Sequence, residues 1–252
     1  MKSRHCLAWP LAALLLLSLA GCGARSISDS GYRGGYWGGG SDDNRLYRGE
    51  LSEFDVLGIN RGQAIAEGAV QASLGARERP TIARGASIML IQSGATFPDE
   101  PMVRALEARY DVGQFSGIPG ERPQSASATP TALASYAMAL RLAAARGGYD
   151  KIIAYWGVLE TAQQGLGTKV VSWVPIVGNL IPDETQRMRI RLKFAVIDLK
   201  TGRWDLYVPE PLEDDSISAS LNRASSDQGQ VALLKETGYK AAAAGLFTRY
   251  SP

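Results

Sequence analysis

Two apolar runs limit what this chain can fold into more than anything else in it. Ile88-Met89-Leu90-Ile91 stands between Gly85 and Gly94, and Ile152-Ile153-Ala154-Tyr155-Trp156, with Val158 beyond, follows Gly147-Gly148. Each is a short, nearly unbroken apolar stretch bounded by turn residues, the form of a strand buried on both faces. Such strands need helices above and below them, and the intervening sequence supplies these. Asp99 stands before Pro101, with Val103, Leu106 and Tyr110 at helical spacing, so Asp99 is placed to cap the orphan amides and Pro101 fits the first turn. A short strand near Val112 to Ile118 and a polar loop lead to a second helix. There Thr129 is the expected N-cap and Pro130 opens the helix. Leu133, Tyr136, Leu140 and Ala144 share one face, and Gly147-Gly148 stop it.

The later half changes period. Met188, Ile190, Leu192, Phe194 and Val196 alternate with Arg187, Arg189, Arg191 and Lys193, which predicts a strand with one solvated face, as in an antiparallel sheet. Lys200-Thr201-Gly202-Arg203 turns the chain, and Trp204 to Val208 returns as the partner strand. A last helix over about 228–247 places Val231, Leu234, Gly238, Ala241 and Gly245 on one stripe, small enough for close approach to a sheet. Residues 52–74 carry an irregular pattern that suits one or two weak helices. The expectation is an α/β (α+β) fold, a mixed sheet of about five or six strands with helices packed on it, ending in an antiparallel hairpin and a C-terminal helix.

The first residues set the location. Lys2, Arg4 and His5 precede an apolar run from Leu7 to Ala20, too short for a permanent spanning helix, and the run reaches Cys22 through Leu19-Ala20-Gly21. That sequence resembles the lipobox of bacterial lipoproteins, and the resemblance implies cleavage before Cys22, with acyl chains such as palmitate on that residue. Gly23, in place of the Asp that holds enteric lipoproteins at the inner membrane, implies the periplasmic face of the outer membrane. Residues 1–21 are then a signal peptide. Residues 22–50, rich in Gly, Ser and Tyr, read as a flexible tether with a reach on the order of 30 Å, and residues 51–252 as one periplasmic domain.

Processing also removes chemistry. His5 is the only histidine, Cys6 leaves with the leader, and Cys22 is the acylated residue, so Ser-His-Asp, Cys-His and the usual zinc sites are excluded from the mature chain. No cofactor is implied. Losing Lys2 and Arg4 takes 27 basic residues to 25 against 25 acidic ones, a balance that argues against a nucleic-acid partner. Carboxylate-only chemistry retains Glu160, Asp183, Glu184 and Asp198 as candidates, without a spacing that forces any two of them together.

Two features suit contact. The apolar insertion 170–182 contains Trp173, Val174, Ile176, Val177, Leu180 and Ile181, broken by Pro175, Gly178 and Pro182; exposed, it suits membrane dipping, self-association or a partner groove, and folded down it covers core. The basic stripe of Arg187, Arg189, Arg191 and Lys193 suits anionic headgroups, peptidoglycan carboxylates or an acidic partner, or is a solvated face that blunts edge pairing.

In this order, residues 88–208 resemble the small α/β domain of several periplasmic lipoproteins: the curli-secretion lipoprotein, the penicillin-binding-protein activator lipoprotein and the N-terminal domain of the Tol-Pal translocation protein. The likeness rests on strand 88–91, on helix 130–146 leading through Gly147-Gly148-Tyr149-Asp150 into strand 151–158, and on Phe194 to Gly202 with its returning strand. Tyr155-Trp156-Gly157 and the Asp198-x-x-Thr201-Gly202 turn are similar to the group called rhombotarget lipoproteins. The resemblance implies a non-enzymatic assembly, recruitment or regulatory module with three kinds of partner: membrane lipid through acylated Cys22, an unidentified periplasmic or envelope protein, and further copies of itself in a homo-oligomer. A carboxylate-dependent glycan hydrolase and a self-assembling export component are the competing expectations.

Overall fold

The computed structural model describes residues 26–28, 49–59, 64–75, 78–119, 130–164, 171–175, 188–214 and 223–252. The elements are α1 (Glu53–Leu57), α2 (Glu67–Gly75), β1 (Ser87–Gln92), α3 (Glu100–Glu107), β2 (Asp111–Phe115), α4 (Pro130–Arg146), β3 (Lys151–Gln164), β4 (Val171–Pro175), β5 (Met188–Asp198), β6 (Trp204–Tyr207), β7 (Leu212–Asp214) and α5 (Arg223–Arg249).

Two long antiparallel strands, β3 and β5, carry the sheet, in register from Lys151↔Asp198 to Thr161↔Met188. Around their Lys151 end the order is β2-β1-β3-β5-β6, with β1 parallel to both neighbours. Toward the other end β3 and β5 outrun β1 and β6, and two short strands flank them: β4 pairs with β3 at Glu160↔Pro175 through Gln164↔Val171, and β7 with β5 at Met188↔Asp214 through Ile190↔Leu212. The sheet therefore has a lower tier built on parallel pairing and an upper tier that is antiparallel throughout. The mixed α/β architecture with a C-terminal helix is the expected one, and β4 and β7 bring the strands among the described residues to seven.

Period-two alternation divides the core between the two faces. Ile88, Leu90, Ile153, Tyr155, Phe194 and Val196 face α3 and α5, while Met89, Ile91, Ile152, Ala154 and Ile197 face Leu140 and Ala144 of α4 and Val56 of α1. The connection from β1 to β2 moves outward and that from β2 to β3 moves back across β1, so right-handed crossovers demand helices on opposite faces. They are found there. Each fully buried aliphatic side chain contributes about 1.5–3 kcal/mol before the entropy of ordering is subtracted. Helix α5 comes close enough to contribute because two of its positions lack side chains: a Cβ at Gly238 would stand 2.6 Å from Ile190 Cγ2, and one at Gly245 would strike the Tyr207 hydroxyl.

Three local expectations change and a fourth is met. Asp99 makes no side-chain cap, because its carboxylate is drawn to Lys235 and Tyr239 on α5. Ala241 is exposed and Ala242 takes its place on the buried stripe, as the helical phase from Val231 through Tyr239 requires. Residues 52–74 do hold two short helices, of which α1 joins the core through Val56 and opens on a Ser52–Asp55 capping box, whereas α2 buries nothing. Finally, the stretch 22–50, expected to be one tether, is partly built into the fold. Ile27 is 2 % exposed in the main core and Leu51 is buried just past the far end. Average composition hid the local pattern Ser26-Ile27-Ser28, whose polar-apolar-polar alternation suits a strand edge. Thr129, the expected cap of α4, lies outside the described residues.

Candidate interaction surface

In the upper tier, the register sets Glu160 opposite Arg189, Ala162 opposite Trp173 and Val158 opposite Arg191, so these six side chains share one face of β3, β4 and β5. The helices on that side lie against the lower tier. The geometry is tight. Arg189 Nε lies 2.5 Å from Glu160 Oε2, and its guanidinium carbon stands 4.2 Å from the centroid of the Trp173 ring. Arg191 Nη1 reaches Glu160 Oε1 at 3.4 Å. Glu160 is nearly enclosed, at 7 % side-chain exposure, while Arg191 stays 49 % exposed. One carboxylate thus serves two guanidinium groups, and the surplus positive charge faces outward on Arg191.

A Trp ring stacked on a salt-bridged Arg is fixed before any partner arrives, which lowers the entropy lost on contact. Arg191 adds a planar fork of donors suited to carboxylate or phosphate oxygens. These are groups suited to contact.

Of the residues expected at the surface, the structure brings Trp173, Arg189 and Arg191 together, and it sets Val174 opposite Thr161 on the same strand pair. Cys22, Ile176, Val177, Leu180, Ile181 and Arg187 lie outside the described residues. The basic stripe is no row of free cations: Arg189 and Arg191 meet Glu160, and Lys193 pairs with Glu53 of α1 while lying 5.8 Å from the Trp156 ring centroid. The pairs form because a charged strand face half-covered by α1 must satisfy its charges locally.

The two described candidate carboxylates, Glu160 and Asp198, do not converge. Glu160 is bound to arginines, and Asp198 sits at the opposite end of the β3–β5 pair, where it meets Lys151 at 2.5 Å. The nine residue steps of β3 from Lys151 to Glu160 span about 30 Å. Burial raises the Asp198 pKa, but the hydrogen bond from Lys151, the amides of Thr201 and Lys200 and the Lys151 charge outweigh it and hold the group below the usual carboxylate range. Its Oδ1 accepts from the Lys200 and Thr201 amides at 2.8 and 3.0 Å, which makes it the organiser of the β5–β6 turn. Asp183 and Glu184 lie outside the described residues. Among the described residues no three His, Cys, Asp or Glu side chains form a metal-sized group, and no helix is long and apolar enough to cross a membrane.

Sequence reasoning missed a second polar cluster, at the carboxyl end of β1, where an open α/β sheet leaves its ligand crevice. Here the crevice is filled from within. Asp99 Oδ2 accepts from Lys235 Nζ at 2.9 Å and from the Tyr239 hydroxyl at 2.6 Å. Gln92 Oε1 accepts from the Asp99 amide at 2.6 Å and from the Tyr155 hydroxyl. Gln92 Nε2 donates to Ser28 Oγ at 3.0 Å, Ser28 Oγ to the Ser93 carbonyl at 2.6 Å, and Lys235 Nζ to the Ile27 carbonyl at 2.9 Å. Burial first, and then the Asp99 charge, pushes the Tyr155 and Tyr239 hydroxyls well above their ordinary pKa. The available signal was Lys235 itself, a charge on the stripe Val231, Leu234, Gly238, Tyr239.

Comparison with known proteins gives a family and a distant structural likeness. A family model described as YafT bacterial lipoprotein matches residues 52–249. No curated protein matches the chain. Among solved structures, the dodecamer of a PelC point variant from Paraburkholderia phytofirmans is similar at 14 % identity over 64 % of this chain and 92 % of that one, with a TM-score of 0.26.

Proposed function

This chain belongs to the YafT bacterial lipoprotein family, and from that premise we propose that it is a lipid-anchored, non-catalytic module of the cell envelope, held through acylated Cys22 at the periplasmic face of the outer membrane. It recruits or regulates an envelope protein through the upper tier of its sheet. The observation that carries this reading is the Trp173–Arg189–Glu160 stack with Arg191 beside it: a stiff aromatic anchor and an outward charge on a face whose helices lie against the other tier. Interfaces draw most of their energy from such Trp and Arg positions. The filled crevice and the paired Glu160 and Asp198 support contact over hydrolysis.

A photoreactive aromatic residue at position 173, expressed in cells and illuminated, is expected to capture a discrete envelope protein. The same residue at Thr201, on the turn at the far end of β5, captures none, and Arg191→Glu lowers capture at 173 severalfold. Equal capture from both positions, or no product at 173 from folded and membrane-bound protein, overturns the reading.

A further inference from the structure

The edge of β3 that faces β1 is occupied along its length by three different pieces of chain. Strand β1 covers Lys151 to Tyr155 and β4 covers Glu160 to Gln164. Between them sits the N-terminal segment: Ser26 bridges Val158 in antiparallel sense, and the Ile27 amide donates to the Gly157 carbonyl at 2.9 Å. The Ile27 side chain enters the core over Gly157, where a Cβ would stand 2.9 Å from Ile27 Cγ2 and 2.8 Å from Leu192 Cδ2, so the glycine is the space the isoleucine uses. Lys235 and Ser93 hold the segment from the other side through Ile27 and Ser28. Ser93 also binds the re-entering chain, since its Oγ accepts from the Leu51 amide at 2.8 Å. Both ends of residues 29–48 are therefore fastened at one serine.

We infer that Ser26-Ile27-Ser28 is a sheet-edge plug that takes the Gly-rich stretch out of the tether and leaves Gly23, Ala24 and Arg25 as the whole link between the acylated Cys22 and the folded body. The body then rides on the bilayer with its upper tier beside the phospholipid headgroups. Four peptide units from Cys22 to Ser26 span at most about 14 Å, whereas a coil reaching to residue 50 has a root-mean-square extension of about 30 Å. Ser26 pairs with Val158, which lies opposite Arg191, so the exposed guanidinium is on β5, one strand beyond β3 from the anchor's exit, and its charge complements anionic headgroups. This rests on the lipoprotein reading above, and it confines the partner to proteins that present their contact surface at the membrane.

The test uses the full acylated protein in vesicles of phosphatidylethanolamine with a minority of phosphatidylglycerol and a headgroup spin-labelled lipid. Acylated Cys22 is the only cysteine left after processing, so a single introduced cysteine carries a fluorophore, at Glu213→Cys, exposed on β7 opposite Arg189, or at Thr201→Cys. Quenching at 213 is expected to exceed that at 201 severalfold. A Gly-Ser insertion between Gly23 and Ala24 lengthens the link with the plug seated and should erase the difference, as should Gly157→Val, which unseats Ile27. Equal quenching at both positions in the parent, or an insertion that changes nothing, overturns the inference. A product whose intact mass lacks acyl chains overturns both readings. Loss of capture at 173 with the quenching contrast intact overturns the recruitment reading alone, and retained capture without the contrast overturns this inference alone.

Discussion

Lys235 shows how one side chain can hold three distant segments. It is 8 % exposed on α5, and its ammonium joins the Asp99 carboxylate that opens α3 and the Ile27 carbonyl. Lys235→Met keeps the volume but leaves the Asp99 carboxylate only the Tyr239 hydroxyl as a partner on α5, so urea unfolding should report a loss of about 1–3 kcal/mol. Lys235→Arg, with the charge kept, is expected to lose less. Asp198 makes a second prediction, on pH. Its folded pKa lies below the ordinary value, so its contribution is present above about pH 4 and disappears as pH falls through the folded value. The stability difference between the parent and Asp198→Asn should be about 1–2 kcal/mol at neutral pH and shrink in acid, in equilibrium melts across that range. Tyr155 and Tyr239 have the opposite sign: their raised pKa values stabilise the fold below about pH 10 and cease to do so as pH climbs through the folded values. Their absorbance change should coincide with alkaline unfolding rather than precede it.

At the scale of elements, α5 depends on positions where nothing protrudes. Gly238→Val would drive a side chain into Ile190 and lift the helix from β5 and β7, at a cost of about 1–3 kcal/mol in a denaturant melt. Gly229 stands in open space on the same helix, so Gly229→Ala should be neutral or slightly stabilising. The same contrast explains what was legible beforehand. Strands β1, β3 and β5 and helices α4 and α5 announce themselves because a core face imposes its own period on ten or more residues, or on an unbroken apolar run. Strands β4 and β7 were hidden because a strand of three or five residues owes its existence to a neighbour far along the chain. Val171–Pro175 needs Glu160–Gln164 beside it. The alternation in Ser26-Ile27-Ser28 is too short to place a strand on its own, since its partner Val158 lies far beyond any window. Of the candidate surface, Trp173, Arg189 and Arg191 could be picked by residue type, but Glu160 as the common partner of the two arginines follows only from register.

For the whole molecule, the decisive question is where the fold begins. If residues 23–28 were spacer, a leaderless protein would be as stable starting at residue 49 as at residue 23. The geometry argues otherwise: the segment fills the core over Gly157, satisfies the Gly157 carbonyl on a strand edge that nothing else among the described residues covers there, and gives Lys235 its second acceptor. Burial of one isoleucine contributes about 2–3 kcal/mol, and an exposed or orphaned carbonyl and ammonium cost more than they gain from water. Against this stands the entropy of ordering three residues, about 1–2 kcal/mol each for the backbone, part of which is offset by closure of the segment at Ser93. The balance favours docking by a small margin in isolation and by more in the complete chain, where Leu51 locks the return. Removal of residues 23–48 should therefore lower the urea midpoint by the equivalent of about 1–3 kcal/mol, with Ile27→Ala in the longer protein accounting for most of it. Equal midpoints would mean that the anchor hangs from a body complete without it, and the bilayer would then have no say in how the upper tier is presented.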